Sequence, residues 1–128
     1  LLPSSPALGA LIPAPGSVVL AVGSLVCRWA PRSARIETLY THGRRIISLA
    51  SSADRRLIVT ADARCVKLYS TVYNTVTASV NVGSVVNLAI NDQGTLLATS
   101  DNKQISIFSI RGPDEVDTGS VFLNSSNV

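Results

Sequence analysis

The sequence has no methionine, one histidine, two cysteines and few aromatic residues, with one Trp, three Tyr and two Phe among 128 positions. A single His and two distant Cys cannot assemble a zinc site. Cys27 and Cys65 show neither metal-knuckle spacing nor the cysteine density of a secreted disulfide scaffold. Both lie in apolar runs, so they are expected as buried free thiols in a reducing, cytoplasmic setting. The first 27 residues carry no charge. Even so, Pro3, Pro6, Pro13 and Pro15, with Gly9, Gly16 and Gly23, interrupt any spanning helix. No basic residue precedes the apolar stretch, as a secretory signal requires. The uninterrupted apolar piece, 18–22, is strand-sized. The chain opens on Leu1 instead of an initiating Met, which leads us to expect a fragment or a processed product.

What is present is a β-strand palette. Apolar residues make up 46% of the chain, and Val, Ile, Leu and Ala carry that share. The net charge of +3 is unevenly spread. Nine basic residues fall between Arg28 and Lys67, against Glu37, Asp54 and Asp62, whereas the rest of the chain has Lys103 and Arg111 against five acids. A basic middle beside an acidic tail can attract phosphates or acidic proteins, although solvated loop ends produce the same pattern.

An internal repeat organises the chain. Leu57-Ile58-Val59-Thr60-Ala61-Asp62 matches Leu96-Leu97-Ala98-Thr99-Ser100-Asp101 at an offset of 39. The same offset carries Val66-Lys67-Leu68-Tyr69-Ser70 onto Ile105-Ser106-Ile107-Phe108-Ser109 and 46–50 onto 85–89. A third copy stands 40 residues upstream, so that Trp29, Tyr69 and Phe108 occupy one equivalent position. Within each copy apolar residues alternate with polar ones, as in half-buried strands, and Asp-, Asn- and Gly-rich breaks mark hairpin turns. The strands are predicted at 7–12, 17–22, 25–30 and 36–40, then 46–51, 57–61, 65–70 and 76–80, then 85–90, 96–100, 104–110 and 119–123. No helix is expected. Four antiparallel strands in about forty residues make one blade of a β-propeller. The fold expected is therefore all-β, a partial propeller of three repeats (about 7–40, 41–80 and 81–123) within one domain, 1–128.

These residues resemble the WD-repeat family. His42 stands four before Ile46, where that family carries the His of a Gly-His pair. Asp62 stands in its conserved turn, and Tyr69 stands where its Trp closes the third strand. Thr41 replaces the glycine, and Ala30, Ser70 and Ser109 replace the Asp of the Trp-Asp pair. Asn81 is expected in the place of His42 in the third repeat. The resemblance implies a structural hydrogen-bond network of His42, Asp62, Thr60 and Tyr69. The stretch TVYNTV…VVNLAINDQGTLLATSDNKQISIFSI also resembles the second and third blades of the phosphoinositide-binding propellers of autophagy, the PROPPINs. The Arg-Arg pair by which that subfamily grips lipid phosphates is missing from Ile110-Arg111-Gly112-Pro113.

Catalysis would rest on His42 with Asp62 and a hydroxyl such as Thr60 or Ser70. No glycine-rich nucleophile turn accompanies them, and the structural reading uses the same groups. Arg44, Arg45, Arg55 and Arg56 are the candidate interaction surface. The two pairs flank one strand, so they are expected at opposite ends of it. The function expected is a non-enzymatic protein-interaction scaffold with no cofactor, metal or small-molecule substrate. The missing blades are expected from the remainder of a longer propeller, from a protein partner or from another copy of this chain, since a propeller ring needs four or more and an open edge strand invites pairing. Phosphoinositide binding at a membrane surface is the first alternative. RNA binding, as the non-catalytic subunit of a tRNA-modifying complex, is the second.

Overall fold

The computed structural model describes residues 7–14, 17–30, 32, 35–101, 103–112, 115–117 and 123–124, with side chains described between 17 and 110. Three antiparallel sheets follow one another along the chain. The first is β1 (Ala7–Ala14), β2 (Ser17–Val22), β3 (Leu25–Ala30) and β4 (Arg35–Thr41), paired in that order. The second is β5 (Ser48–Ser51), β6 (Leu57–Ala61), β7 (Cys65–Ser70) and β8 (Thr75–Asn81). The third contains β9 (Asn87–Ile90), β10 (Leu96–Ser100), β11 (Gln104–Gly112) and β12 (Glu115–Asp117), and β13 (Leu123–Asn124) also pairs with β11. No helix occurs among the described residues, so none is available there to cross a membrane.

Each meander is one blade, and the inner strands β1, β5 and β9 are neighbours. A sheet of β-branched residues has two oily faces, and neighbouring blades cover them. Val19, Ala21 and Val26 of blade 1 share a core with Ile58 and Tyr69 of blade 2. Val59, Ala61, Val66 and Leu68, on the other face of blade 2, pack with Leu97 and Phe108 of blade 3. Blade 2 is therefore buried on both faces, which is why 58–61 read as a nearly continuous apolar run instead of alternating. Each Val or Leu enclosed in this way contributes about 1.5–3 kcal/mol.

The repeat recurs bond by bond. The N–H groups of His42 and Ile46 bind the carbonyls of Ser24 and Gly23, and those of Val82 and Val85 bind the carbonyls of Arg64 and Ala63. The link leaving one blade is thereby clamped to the turn between that blade's second and third strands. Ile47 N–H to Ala61 O recurs as Val86 N–H to Ser100 O, and Thr71 N–H to Arg56 O as Ile110 N–H to Thr95 O. Asp62 Oδ1 accepts the N–H groups of Arg64 and Cys65, and Asp101 Oδ1 those of Lys103 and Gln104. One backbone scaffold thus serves different side chains.

Several boundaries differ from expectation. The first strands of blades 2 and 3 begin at Ser48 and Asn87, not at 46 and 85, because the clamps take the backbone of the preceding residues. β1 runs on through Pro13, which an edge strand tolerates because one side of its backbone needs no partner. The fourth strand expected at 119–123 falls mostly on 119–122, outside the described residues. The partner of β11 comes earlier, at Glu115–Asp117, and Leu123–Asn124 adds a short pairing with Gln104 and Ile105. The third-repeat equivalent of His42 is Val82, not Asn81. The clamp bonds align Val82 with His42, whereas Asn81 closes β8 as Thr41 closes β4.

Arg55 and Gly94 hold the same turn position 39 residues apart, each donating its N–H three residues back, to Ser52 and Asn91. Both have left-handed backbones, with φ of 63° and 72°. Glycine adopts that conformation freely, whereas a β-carbon is penalised there. Arg55→Gly is expected to raise unfolding free energy in urea by about 0.5–1 kcal/mol. Gly94→Ala should lower it by about 1 kcal/mol or more, because its Cβ would also lie 3.3 Å from Cβ of Ser52 across the blade junction.

Candidate functional site

The chain's only histidine lies in the link between blades 1 and 2, immediately after β4. It is inside the protein, 5% exposed, with Asp62 at 2% and Thr60 at 0%. Its Nδ1 is 3.0 Å from Asp62 Oδ2 and its Nε2 is 2.8 Å from Thr60 Oγ1. Tyr40 Oη is 2.7 Å from the same Thr60 oxygen. Burial lowers the His42 pKa more strongly than the Asp62 hydrogen bond and charge raise it, so the imidazole is neutral. A neutral ring fixes the direction of the whole chain. Tyr40 O–H donates to Thr60, Thr60 O–H donates to Nε2, and Nδ1–H donates to the carboxylate.

Asp62 closes the network. Burial alone would raise its pKa, but the N–H of Arg64, the His42 ring and the N–H of Cys65 together hold the carboxyl below its ordinary range. Three N–H donors around one carboxylate offset the cost of removing it from water. Tyr40 is shifted upward, first by burial. Thr60, His42 and Asp62 thus have the connectivity of a nucleophile, a base and an acid. The hydroxyl is fully enclosed, which keeps a substrate bond from approaching it. The arrangement fixes loops.

Of the four residues expected in this network, the structure brings together His42, Asp62 and Thr60. Tyr69 is not joined to them. Its hydroxyl turns to Asn74 Oδ1 at 3.4 Å, and its ring stacks on Tyr40 with centroids 5.2 Å apart. Tyr40 of blade 1 takes the hydroxyl position and so carries the network across the blade junction. Its spacing two residues before His42 was visible in the sequence, but a strand residue at that spacing reads as ordinary packing. Only the register shift between β3 and β4, next to Val26, turns it towards blade 2. Trp29, at the position equivalent to Tyr69, has an indole N–H that is buried with no acceptor among the described residues.

The two arginine pairs are exposed and lie at opposite ends of β5. Arg44 and Arg45 sit in the clamped link. Arg55 and Arg56 sit in the β5–β6 turn, where Arg55 bonds Ser51 Oγ and Arg56 faces Asp54 at 3.8 Å. Arg28 joins neither pair, since it bridges to Glu37 at 3.0 Å along its own sheet. Cys27 is buried and Cys65 partly buried, both as free thiols. Among the described residues no three metal-binding side chains gather.

No family model matches this sequence. No curated protein matches it either. Solved structures do. The chain matches the β-propeller domain of Cps50 (Swd1) from Myceliophteria thermophila with a TM-score of 0.74 and 16% identity, over 96% of this chain and 40% of that one. It also matches a chain of a mitotic checkpoint complex, with a TM-score of 0.64 and 18% identity, over 82% of this chain and 34% of that one. At such identities the likeness speaks for fold. The chain is a set of β-propeller blades and spans less than half the length of the propeller chains it matches. The resemblance to WD-repeat propellers drawn from the sequence holds at the level of that fold.

Two measurements test the network. Tyr40→Phe is expected to cost about 1 kcal/mol of stability, the worth of one hydrogen bond, and more than Tyr69→Phe. Equal losses in urea would remove Tyr40 from the role. The folded pKa of His42 lies below its unfolded value, so its contribution is complete above about pH 6.5 and is lost as pH falls towards the folded value. The melting temperature should therefore fall between pH 7 and pH 5, and His42→Gln should flatten that fall. Asp62 adds a separate loss only below about pH 4.

Proposed function

We propose that this chain serves as a protein-interaction scaffold, a segment of propeller whose third blade receives further β-structure on its open face. One comparison carries the reading. Val59, Ala61, Val66 and Leu68 of blade 2 are 0–2% exposed because blade 3 covers them. Their equivalents 39 residues on, Ala98, Ser100, Ile105 and Ile107, are only partly buried. Leu96, equivalent to Leu57, is 47% exposed. A hollow of about 330 Å³ lies between Ala89, Ala98, Ser100 and Ile105. The face has the composition of a blade–blade contact, and among the described residues no blade lies upon it.

An apolar sheet face is stable in water only when something covers it. A further blade suits the spacing, since the same positions in blade 2 already accept one. Among the described residues, the blade links are bonded to the turns of the preceding blade and the His42 network is sealed inside, which supports display over chemistry.

The open face predicts concentration-dependent self-association of the 128-residue chain. Sedimentation velocity should show oligomers at tens of micromolar, and Ile107→Asp should shift them to monomer while changing the melt little. Leu68→Asp, at the equivalent but covered position, should unfold the chain. A parent chain that stays monomeric and sediments as Ile107→Asp does would remove the basis for the reading.

A further inference from the structure

Two hollows and two turns line up at the end of the blades opposite the links. The larger hollow, about 500 Å³, lies on blade 1 between Arg28, Ala30, Arg35, Ile36 and Glu37. The smaller, about 240 Å³, lies at the junction of blades 1 and 2, over Val19 and Tyr69, with Ser17, Arg28, Thr71 and Asn74 around it. Arg28 lines both and so joins them. Thr71 and Asn74 bound the β7–β8 turn, whose middle residues, Val72 and Tyr73, are 59% and 66% exposed. Thr71 also ties this turn to the one between β5 and β6. Its N–H binds the Arg56 carbonyl at 3.0 Å, and its hydroxyl binds that of Arg55 at 2.8 Å. A continuous path therefore runs from Arg35 through Arg28 and Tyr73 to Arg55 and Arg56.

The path is basic, with acids on its rim. Arg35 and Arg55 form no ion pair among the described residues, and Arg32 adds a third such cation before β4, all three exposed. Arg28 holds Glu37 through Nη2, and Arg56 lies 3.8 Å from Asp54. Both acids are more than half exposed, with side chains at 62% and 58%, so another anion can displace either at little cost. Blade 3 brings Asp92, Arg111 and Glu115 to this end, which confines the excess of cations to blades 1 and 2. Among the described residues Tyr73 is the only exposed aromatic. Its N–H is fixed to Ser70 Oγ at 3.1 Å, so the turn presents the ring in a set position.

We propose that this path binds a single-stranded polynucleotide, with a base stacked on Tyr73 and phosphates on Arg28, Arg35, Arg55 and Arg56. Phosphates and bases alternate along such a strand, as guanidinium groups alternate with the ring and the hollows here. Stacking on an aromatic side chain beside a basic groove is tolerant of sequence, because every base has a π-face. Guanidinium forks match phosphate oxygens in pairs. An acidic peptide would use the arginines and leave the ring and the hollows idle. A flat bilayer would bridge the hollows and press Asp54 and Asp92 against its headgroups. The path lies apart from the open face of blade 3, so this function is additional to the scaffold reading.

The test is fluorescence anisotropy with labelled oligouridylate and oligodeoxyuridylate of about 12 nucleotides, titrated with the full 128-residue chain. Three neutralised phosphates predict a loss of about tenfold in affinity between about 50 and 150 mM salt. Tyr73→Ala should weaken binding about fivefold or more, and Tyr73→Trp should retain it. Arg55→Gln/Arg56→Gln should weaken binding several-fold and flatten the salt dependence, whereas Arg44→Gln/Arg45→Gln, at the opposite end, should change it less than about twofold. Glu37→Gln should tighten binding by freeing Arg28. Melting curves establish that each variant folds. Binding of either strand supports the path, and the ratio of the two affinities separates ribose from deoxyribose. Three outcomes would overturn the proposal: parent-like binding by Tyr73→Ala, equal losses in the two arginine variants, or tighter binding of an Asp/Glu-rich peptide or phosphoinositide vesicles than of either oligonucleotide. None of these bears on the sedimentation of Ile107→Asp, so failure here is distinguishable from failure of the scaffold reading.

Discussion

The structure depends on one constraint, the packing of each blade's sheet face onto the next. A meander of about forty residues has too little volume to enclose its own apolar side chains, and two such sheets facing one another solve the problem for both. Blade 2 shows the solution complete. Its central strands carry Ile58 and Tyr69 towards blade 1 and Val59, Ala61, Val66 and Leu68 towards blade 3, all of them buried. Whatever lies at either end of the stack inherits the same requirement.

Packing alone would leave neighbouring blades free to slide. Directional bonds remove that freedom. The clamps from Ile46 to Gly23 and from Val85 to Ala63 are made by backbone atoms, so they recur although the side chains differ. The His42 network is different, because it occurs once among the described residues and depends on residue identity. Tyr40 of blade 1, Thr60 and Asp62 of blade 2 and the histidine of the link between them form one polar line through an apolar junction. At the next junction Val82 stands in place of the histidine and packs, partly buried, against the hydrophobic core. A buried polar line specifies register through the cost of leaving its members unpaired, whereas an apolar junction relies on shape alone.

The same turns that lock the blades set the surface. An Asp whose Oδ1 accepts the N–H groups two and three residues ahead makes a tight turn, and those donors keep the carboxylate ionised. The cation in that turn projects outward because its own side chain has no role within. Clamped loops and outward-facing cations are thus products of one local geometry.

Much of this was legible in the sequence. The 39-residue offset predicted the three meanders, and Asp62, Thr60 and His42 could be named because the second repeat resembles the WD family, which carries such a network in its link and turn. Placing the two arginine pairs at opposite ends of one strand needed only the direction of that strand. The boundaries at 46 and 85, the choice of Tyr40 over Tyr69 and the alignment of Val82 with His42 were not legible, because each depends on a contact between blades. The sequence by itself determined period, strand order and which side chains are apolar, since those follow from local alternation and turn chemistry. Only the tertiary structure decided which hydroxyl meets Thr60 and which apolar face the described blades leave partly exposed. Those outcomes depend on distances between residues far apart in the chain, set by how one sheet seats on another.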